Sequence, residues 1–420
     1  MGTVQLPDGN YTSGPDETLD HMLQVHYPDC TFFRGEVNLI DSPPVEQRFL
    51  QVIDNIITER KVGNAINSFE NYKSPGCDGI YPIMLRHGGE TLCSSLTNLY
   101  RSCLRLRHTP RCWTQARVAF LPKPGKKTYQ IAKNYRPITL TSFILKVLER
   151  LVYWYLEEGE GICRAQPSQF AYKRGYSTEA ALHAVVSRIE NSVYGRGLTL
   201  GLFLDLEGAF SNIRYEAISA SLNEAVVDSH LVDWINNMLA GQRVTAKIGT
   251  TSKTVQVCRG TPQGGVLSPL LFSCVMNRLL NNLTQVPGIY SQAYADDVVI
   301  LASGIDSRTL SESLEEALSV VDEWCETVGL QLNVNKTTVT MFTWQRKWIY
   351  HPVRFQGNDI MLVDNVTYLG VTLNAKLNWT KHIAERVEKA NRCLAVCRQP
   401  MGTVPQGHAL GIHSYDQTNN

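Results

Sequence analysis

The stretch "SQAYADDVVILAS" at residues 291–303 sets Asp296 and Asp297 side by side between two short apolar runs. A further carboxylate, Asp205, sits near the end of another apolar run, "LTLGLFLDL" at 198–206. Successive side chains of a strand point to opposite faces, so two adjacent carboxylates serve one site only where the chain bends. The pattern predicts a hairpin in which "SQAY" pairs with "VVILA" and Asp296 and Asp297 form the tip. If the 198–206 strand lies beside that hairpin in one sheet, Asp205 and Asp296 converge. Neither stretch holds a Lys or Arg to neutralise them, and gathered carboxylates are costly unless a cation balances them. Hard divalent cations such as Mg²⁺ take oxygen ligands, binding through one or two carboxylates plus substrate phosphates. A pair of such ions activates an attacking hydroxyl and stabilises the leaving oxygen of an in-line phosphoryl transfer, the chemistry of polymerases and nucleases. A bare pair of aspartates is usually a solvated acidic turn; the flanking apolar strands set this pair apart.

Phosphoryl transfer to a polyanion also needs cations. Residues 101–136 hold ten Lys or Arg and no acid, while the first thirty residues hold five acids and no Lys or Arg, although the formal net charge is only +1. A basic block of this kind fits a polyanionic partner held through its phosphates, with a solvated surface as the bland alternative.

The elements that must position these groups follow a mixed α/β pattern. At 420 residues, with 43% hydrophobic and 19% charged, the chain suits two or three sub-domains of a soluble globular protein. No run of about 18 apolar residues suggests a membrane span, which leaves no membrane partner. The polar, acidic start lacks the features of a secretory signal, which gives an intracellular expectation, nuclear or cytoplasmic. A helical stretch from Pro44 to Phe69 is punctuated by the turn-rich "SPGCDGIYP" at 74–82. A long helix is expected near 142–158, and "LTLGLFLDL" reads as a buried strand. Leu310, Leu314, Leu318, Val321 and Val328 mark a helix that starts near Asp306 or Ser307 and stops at Gly329. Strands are expected around 337–343 and 366–373, and a last helix near 379–399.

Eleven cysteines are scattered singly, which reads as free thiols in a reducing compartment. Cys393, Cys397, His408 and His413 come close to a zinc-finger spacing. However, Val387, Ala390, Leu394 and Cys397 share one helical face, and a buried face explains the cysteines without metal.

"YADD" at 294–297, preceded by "TPQGGVLSP" (261–269) and "FLDLEGAF" (203–210), resembles reverse transcriptases in motif order and separation. "SPGCDGI" (74–80), "LPKPGK" (121–126), "NYRPITLTSFILKVLERLV" (134–152), "QFAYKRGYSTEAAL" (169–182), "GLQLNVNKT" (329–337) and "YLGVTL" (368–373) narrow the resemblance to the polymerase of non-LTR, LINE-type retrotransposons. It runs from about residue 70 to 390. The resemblance implies an α+β, right-hand polymerase architecture of fingers, palm and partial helical thumb. Its expected divisions are an N-terminal extension over 1–69, fingers over 70–200, palm over 201–375, and a truncated thumb and tail over 376–420. The reverse transcriptase domain proper would cover about 110–375.

Roles carry over residue by residue. Asp205 and Asp296 would be the principal ligands of two Mg²⁺ (or Mn²⁺) ions, with Asp297 secondary. Phe210 matches the steric gate against a ribose 2′-hydroxyl, and Gln263 and Gly264 match the segment lying against the incoming nucleotide and template. Lys123 and Arg136 match residues that hold the triphosphate, and Lys336 matches a lysine that protonates the pyrophosphate leaving group. Lys126, Lys127, Lys133, Lys173 and Arg174 are candidates for nucleic-acid phosphates. Tyr368, Leu369 and Gly370 match a hairpin that grips the primer. Ser211 stands where the family commonly has Asp, and serves as a helix cap for "SNIRYEAISASL". The implied activity is RNA-directed DNA synthesis, with an RNA template, a DNA primer and dNTPs as partners. The alternative is a catalytically incompetent nucleic-acid-binding remnant, since such proteins normally carry an endonuclease before the polymerase and more sequence after it.

Overall fold

A computed structural model of the protein describes residues 2–32, 46–158 and 166–397. Its strands, in chain order, are β1 (Thr31–Phe32), β2 (Gln115–Pro122), β3 (Tyr135–Leu140), β4 (Leu198–Asp205), β5 (Arg243–Ile248), β6 (Thr251–Gln256), β7 (Ile289–Tyr294), β8 (Asp297–Gly304), β9 (Thr338–Phe342), β10 (Arg354–Phe355), β11 (Asn358–Asp359), β12 (Met361–Leu362), β13 (Asn365–Tyr368) and β14 (Val371–Asn374). Two five-stranded sheets dominate, ordered β12-β9-β4-β8-β7 and β1-β6-β5-β2-β3. Each is antiparallel except for one parallel pair, β12 with β9 in the first and β2 with β5 in the second. The architecture is mixed α+β.

β4 is the central strand of the first sheet and is apolar on both faces because both faces are covered. Leu200, Leu202 and Leu204 join the main core with Val298, Ile300 and Ala302 of β8 and the helices Phe143–Glu158, Ser268–Leu283 and Ser307–Val328. Phe203 points the other way, into a second core with Val185, Ile189 and Val193 of the Thr178–Tyr194 helix and Tyr368 and Leu373 of the β13–β14 hairpin. Truncating a fully buried leucine such as Leu202 to alanine costs about 2–5 kcal/mol, so the strand bearing Asp205 is held from both sides.

The second sheet has its own core, in which Ala116, Val118, Val244, Ala246 and Val255 pack against Leu19 and Leu23 of the Pro15–His26 helix. β2 and β3, from the basic block, share it with β5 and β6. The chain therefore returns after residue 240 to join β2 and β3 to β1 in one sheet.

The helix Phe143–Glu158 and the strands at 198–205, 338–342 and 365–374 lie where the sequence places them. Ser307–Val328 starts with the Asp306 carboxylate accepting from Thr309 N–H at 3.1 Å and ends at Gly329, φ +81°, as its apolar spacing and flanking residues predict.

Four expectations need correction. The stretch before Phe69 is two helices, Gln47–Ile56 and Glu59–Asn67, divided where extended Ile57 leads into Thr58, whose hydroxyl caps Lys61 N–H; Pro44 lies outside the described residues. Ser211 does not cap the long helix. It sits within a single turn, Ala209–Asn212, and the longer helix begins only at Tyr215, after extended, fully buried Ile213. The last helix, Thr380–Cys397, does not bury the predicted face, since Val387 is 53% and Leu394 46% exposed. Cys393 is an exposed free thiol, and His408 and His413 lie outside the described residues. The fourth concerns the tip of the β7–β8 hairpin. No helix of the described residues is long and apolar enough to cross a membrane.

Candidate active site

β7 and β8 pair from Ile289↔Ala302 to Tyr294↔Asp297, which leaves Ala295 and Asp296 as a two-residue connection. Asp297 therefore opens β8 instead of sharing the tip. It does so because a two-residue turn is the tightest that brings two twisted strands into register. Ala295 adopts φ +56°, the left-handed region such turns require. On the other side of β8, Asp205 lies directly opposite Asp297 in the β4–β8 ladder. Cross-strand partners share a face, so the register brings these two carboxylates together at one sheet end with Asp296 beside them.

The electrostatics reflect that crowding. Burial, reinforced by Asp296 and Asp205, raises the Asp297 carboxyl to about 6. Burial raises Asp296 as well; Asp205 adds to the rise, while Arg136 and Lys123 oppose it. Both side chains remain open to solvent, which tempers the effect. Lys336 lies across the site, its Nζ donating to Asp205 Oδ2 at 3.0 Å. The 331–337 loop that carries it is tied to the end of β4: Asn333 N–H donates to Asp205 O at 2.8 Å, and Thr337 Oγ1 accepts from Asp205 N–H at 3.3 Å.

Opposite the carboxylates stands the β2–β3 hairpin, where Leu121 pairs with Arg136. Lys123 is half-buried and donates to Lys133 O at 2.8 Å. Burial lowers its ammonium pKa, and Arg136, Lys126 and Lys336 lower it further. Lys133 reaches across to Glu207, Nζ to Oε2 at 3.3 Å, and the other oxygen of Glu207 accepts from Asn333 Nδ2 at 2.8 Å. Lys126 and Lys127 are exposed on the turn between the strands.

Phe210 is half-buried, stacked on Phe272 at 4.6 Å and edge-on to Tyr172 at 6.4 Å. Its carbonyl accepts from Thr261 N–H at 2.7 Å, so the ring and the 261–266 loop are fixed to each other. Within that loop Gln263 O accepts from Thr139 N–H at 2.7 Å. Gly264 has φ +120°, and a Cβ there would come within 2.7 Å of Thr139 O; no other residue fits so close a backbone approach. Glu149 supports the loop from beneath. It is fully buried, its carboxyl is raised by that burial, and Oε2 accepts from Val266 N–H at 3.3 Å.

Other candidates are more scattered. Lys173 lies over the Tyr176 ring at 4.2 Å, and Arg174 is exposed. Tyr368 is 3% exposed and its hydroxyl accepts from Gln292 Nε2 at 3.0 Å, so its ring is part of the core. Only Leu369 (φ +47°) and Gly370 (φ +78°) reach the turn of the hairpin.

Two residues at this site escape the sequence reading. Gln169 is fully buried, and its Oε1 accepts from Ala171 N–H at 3.2 Å and from Ala295 N–H at 3.4 Å. It thus props the strained hairpin tip, while Phe170 N–H and Ala293 N–H bind the 168–170 segment to β7 at 2.9 Å each. Tyr172, φ +58°, stands near enough for Asp296 to help burial raise its hydroxyl. The signal for Gln169 was a lone amide leading "QFAY", but no local rule links it to a turn more than a hundred residues away.

Among the described residues no three His, Cys, Asp or Glu side chains are gathered closely enough to cage an ion. The donor set nonetheless suits a hard cation. It is all oxygen and open on one side, and neighbouring like charges add to the rise of Asp296 and Asp297, the pattern expected where Mg²⁺ takes few protein ligands and completes its shell from substrate.

Residues 121–373 match the reverse transcriptase (RNA-dependent DNA polymerase) family. Among curated relatives, the chain is 29% identical over 326 residues to a "putative 115 kDa protein in type-1 retrotransposable element R1DM" of Drosophila melanogaster, covering 77% of this chain and 31% of that protein. It is 28% identical over 379 residues to the "Retrovirus-related Pol polyprotein from type-1 retrotransposable element R1" of Bradysia coprophila (89% and 36%). To the "RNA-directed DNA polymerase from mobile element jockey" of Drosophila melanogaster it is 25% identical over 333 residues (78% and 36%). The chain thus spans about a third of the length of these relatives. With three carboxylates at one strand end, a facing row of cations and a family match across both sheets, the chain belongs to the reverse transcriptase family, within which it resembles the polymerases of non-LTR retrotransposons.

Proposed function

We propose that this chain is an RNA-directed DNA polymerase of a non-LTR retrotransposon, extending the 3′-hydroxyl of a DNA primer with dNTPs on an RNA template. The observation that carries this reading is the Asp205↔Asp297 cross-strand pair with Asp296 at the adjoining tip, facing Lys123 and Arg136. Relatives named RNA-directed DNA polymerases support it. The β4–β8 sheet would be the palm. The basic block and the sheet it shares with 243–256 would form the fingers region, and Thr380–Cys397 part of a thumb. The expected divisions at 69 and 375 belong to the same proposal, whereas the palm expected over 201–375 would yield 243–256 to the fingers region.

Asp205 and Asp296, with Asp297 secondary, would hold Mg²⁺ or Mn²⁺, two ions, which when bound supply charge stabilisation to the in-line transfer. The chain's own residues do the rest. Lys123 gives the triphosphate a point charge and Arg136 a planar fork. The Phe210 ring, fixed by Phe272 behind it, takes the space a 2′-hydroxyl would need. Gln263 and Gly264 lay backbone against nucleotide and template. Lys336, ion-paired to Asp205, would protonate the pyrophosphate leaving group. Lys126, Lys127, Lys133, Lys173 and Arg174 neutralise nucleic-acid phosphates, and Leu369 and Gly370 approach the primer. Catalysis rests on positioning and electrostatics.

A second reading, a binding remnant that does not polymerise, is favoured by the last helix alone, whose Ile383, Val387 and Leu394 are exposed. The experiment that separates them is dNTP incorporation on an RNA template with an annealed DNA primer, in Mg²⁺ and in Mn²⁺, beside Asp296→Ala. Extension abolished in the variant supports polymerisation. Duplex binding without extension in the wild-type chain supports the remnant.

A further inference from the structure

Three of the seven tryptophans are exposed, Trp344 (47%), Trp348 (44%) and Trp379 (39%), whereas the other four are buried or packed against the core. Indole is a large apolar surface to leave in water without a partner. All three lie between residues 344 and 379, and two are joined through the chain: Trp344 Nε1 donates to Lys376 O at 3.1 Å, three residues before Trp379. Tyr194, 69% exposed, stands edge-on to Trp344 at 4.8 Å. Gln345 Nε2 closes the patch from the other side by donating to Arg196 O at 3.0 Å.

Cations are interleaved with these rings. The segment "TWQRKWIY" at 343–350 puts exposed Arg346 and Lys347 between Trp344 and Trp348, and Arg196 and Lys376 adjoin it. Among the described residues none of these four cations is ion-paired to a carboxylate. The nearby Asp306 spends its carboxylate capping Thr309.

The patch is far from the carboxylates. Thr199 pairs with Phe342 at the beginning of β4, and Asp205 is at its end. At about 3.3 Å per residue the two sites are roughly 20 Å apart along the strand.

We propose that Trp344 and Trp348, with Arg346, Lys347, Arg196 and Lys376, form a second nucleic-acid surface that binds an unpaired strand at the end of the sheet opposite the carboxylates. Every base has a face that stacks on an indole or phenol ring, and interleaved cations neutralise the phosphates between bases. A protein partner fits less well, because interface centres are depleted of lysine and of unpaired charge. The choice of ligand rests on the polymerase reading, but binding and catalysis are measured separately.

The test titrates fluorescein-labelled unpaired RNA and DNA strands of one sequence into the full chain, at several salt concentrations, following label anisotropy and tryptophan fluorescence. Trp348→Ala should weaken binding by about fivefold or more. Arg346→Ala combined with Lys347→Ala should reduce the slope of log Kd against log salt by about 1.4, the value for two single-strand phosphates. These side chains are exposed, so both variants should melt with the wild type. The RNA and DNA arms show which strand is preferred, and tighter binding of either supports the surface. Unchanged affinity and slope in both variants would overturn it, as would a loss of self-association in Trp348→Ala by sedimentation with strand binding intact, which would give the patch to a second copy of the chain. If no form of the protein extends a primer, the polymerase reading fails while the strand-binding result stands on its own.

Discussion

The two sheets bring opposite charges to the site and are packed in different ways. The β4-centred sheet is cored on both faces and presents carboxylates at one end. The β2–β3 sheet rests on two small clusters, one joining Ala116, Val118, Val244 and Val255 to Leu19 and Leu23 and one joining Ala132 and Tyr135 to Val4 and Met22, and presents cations at its hairpin. Among the described residues the Lys133–Glu207 ion pair joins the two sides, and exposed pairs of this kind contribute at most about 1 kcal/mol; Thr139 N–H of β3 also donates to Gln263 O of the 261–266 loop at 2.7 Å. The difference teaches a division of labour. On the proposed polymerase reading, the doubly cored anionic side would hold the reacting atoms in place, and the more lightly packed cationic side would adjust to a triphosphate.

The sharpest way to break this picture is at the anionic side. Asp205→Asn removes the charge while keeping shape, and should lower primer extension by about a thousandfold, the scale of losing a preorganised electrostatic contact, with duplex affinity unchanged. Extension within tenfold of wild type would move the reacting centre elsewhere.

Acid should loosen the other sheet. His26 lies under it, donating from Nε2 to Ala132 O at 3.0 Å, and burial drives its pKa from 6.5 down to about 4. The unfolded chain takes up a proton below about 6.5 that the folded chain refuses until about 4, so stability falls as pH drops through that window. The loss is about 3 kcal/mol across the window. His26→Gln keeps a donor for Ala132 and does not titrate, so thermal melting should depend less on pH between those values; an identical pH profile would show that the layer does not sense acid through this ring.

Arg136→Ala should raise KM for dNTP by about ten- to a hundredfold, the weight of a charge-assisted hydrogen bond, and leave kcat nearly intact if the cationic side only binds. A loss confined to kcat would instead give Arg136 a part in the transfer itself. The mildest change is Gln169→Met, which keeps volume and removes the acceptor for Ala295 N–H. We expect kcat to fall by roughly fivefold to tenfold, the weight of one hydrogen bond, with KM for dNTP unmoved. A proportional fall in folded protein, with normal kcat in what remains, would make Gln169 purely structural.

The same contrast governs what the sequence revealed. β4 was legible because a strand buried on both faces is an unbroken apolar run, and the Ser307–Val328 helix because cap, stripe and terminal glycine agree. β5 and β6 were missed, since "RVTAKI" and "TSKTVQ" alternate weakly; β5 owes its place to a pairing with β2 more than a hundred residues earlier, and β6 to its pairings with β5 and the still earlier β1. At the site, the three carboxylates and the basic block could be read from residue type and framing. The turn that separates Asp296 from Asp297, the burial of Tyr368 and the prop supplied by Gln169 could not, because each depends on which distant segment packs alongside. The exposed last helix misled for a related reason: a periodic apolar stripe records what could be buried, and nothing among the described residues covers it.

The two-residue connection between β7 and β8 also constrains length. Side chains alternate along a strand, so adding or deleting one residue between Tyr294 and Asp297 would either break the pairing with β4 or turn Asp297 away from Asp205. The number of codons at this turn is therefore as consequential as their meaning. Among related copies of such a gene, in-frame insertions should accumulate in exposed segments such as the turn at 123–128 long before any is tolerated here, and a copy that carries one at 294–297 would be inert whatever the rest of its sequence preserves.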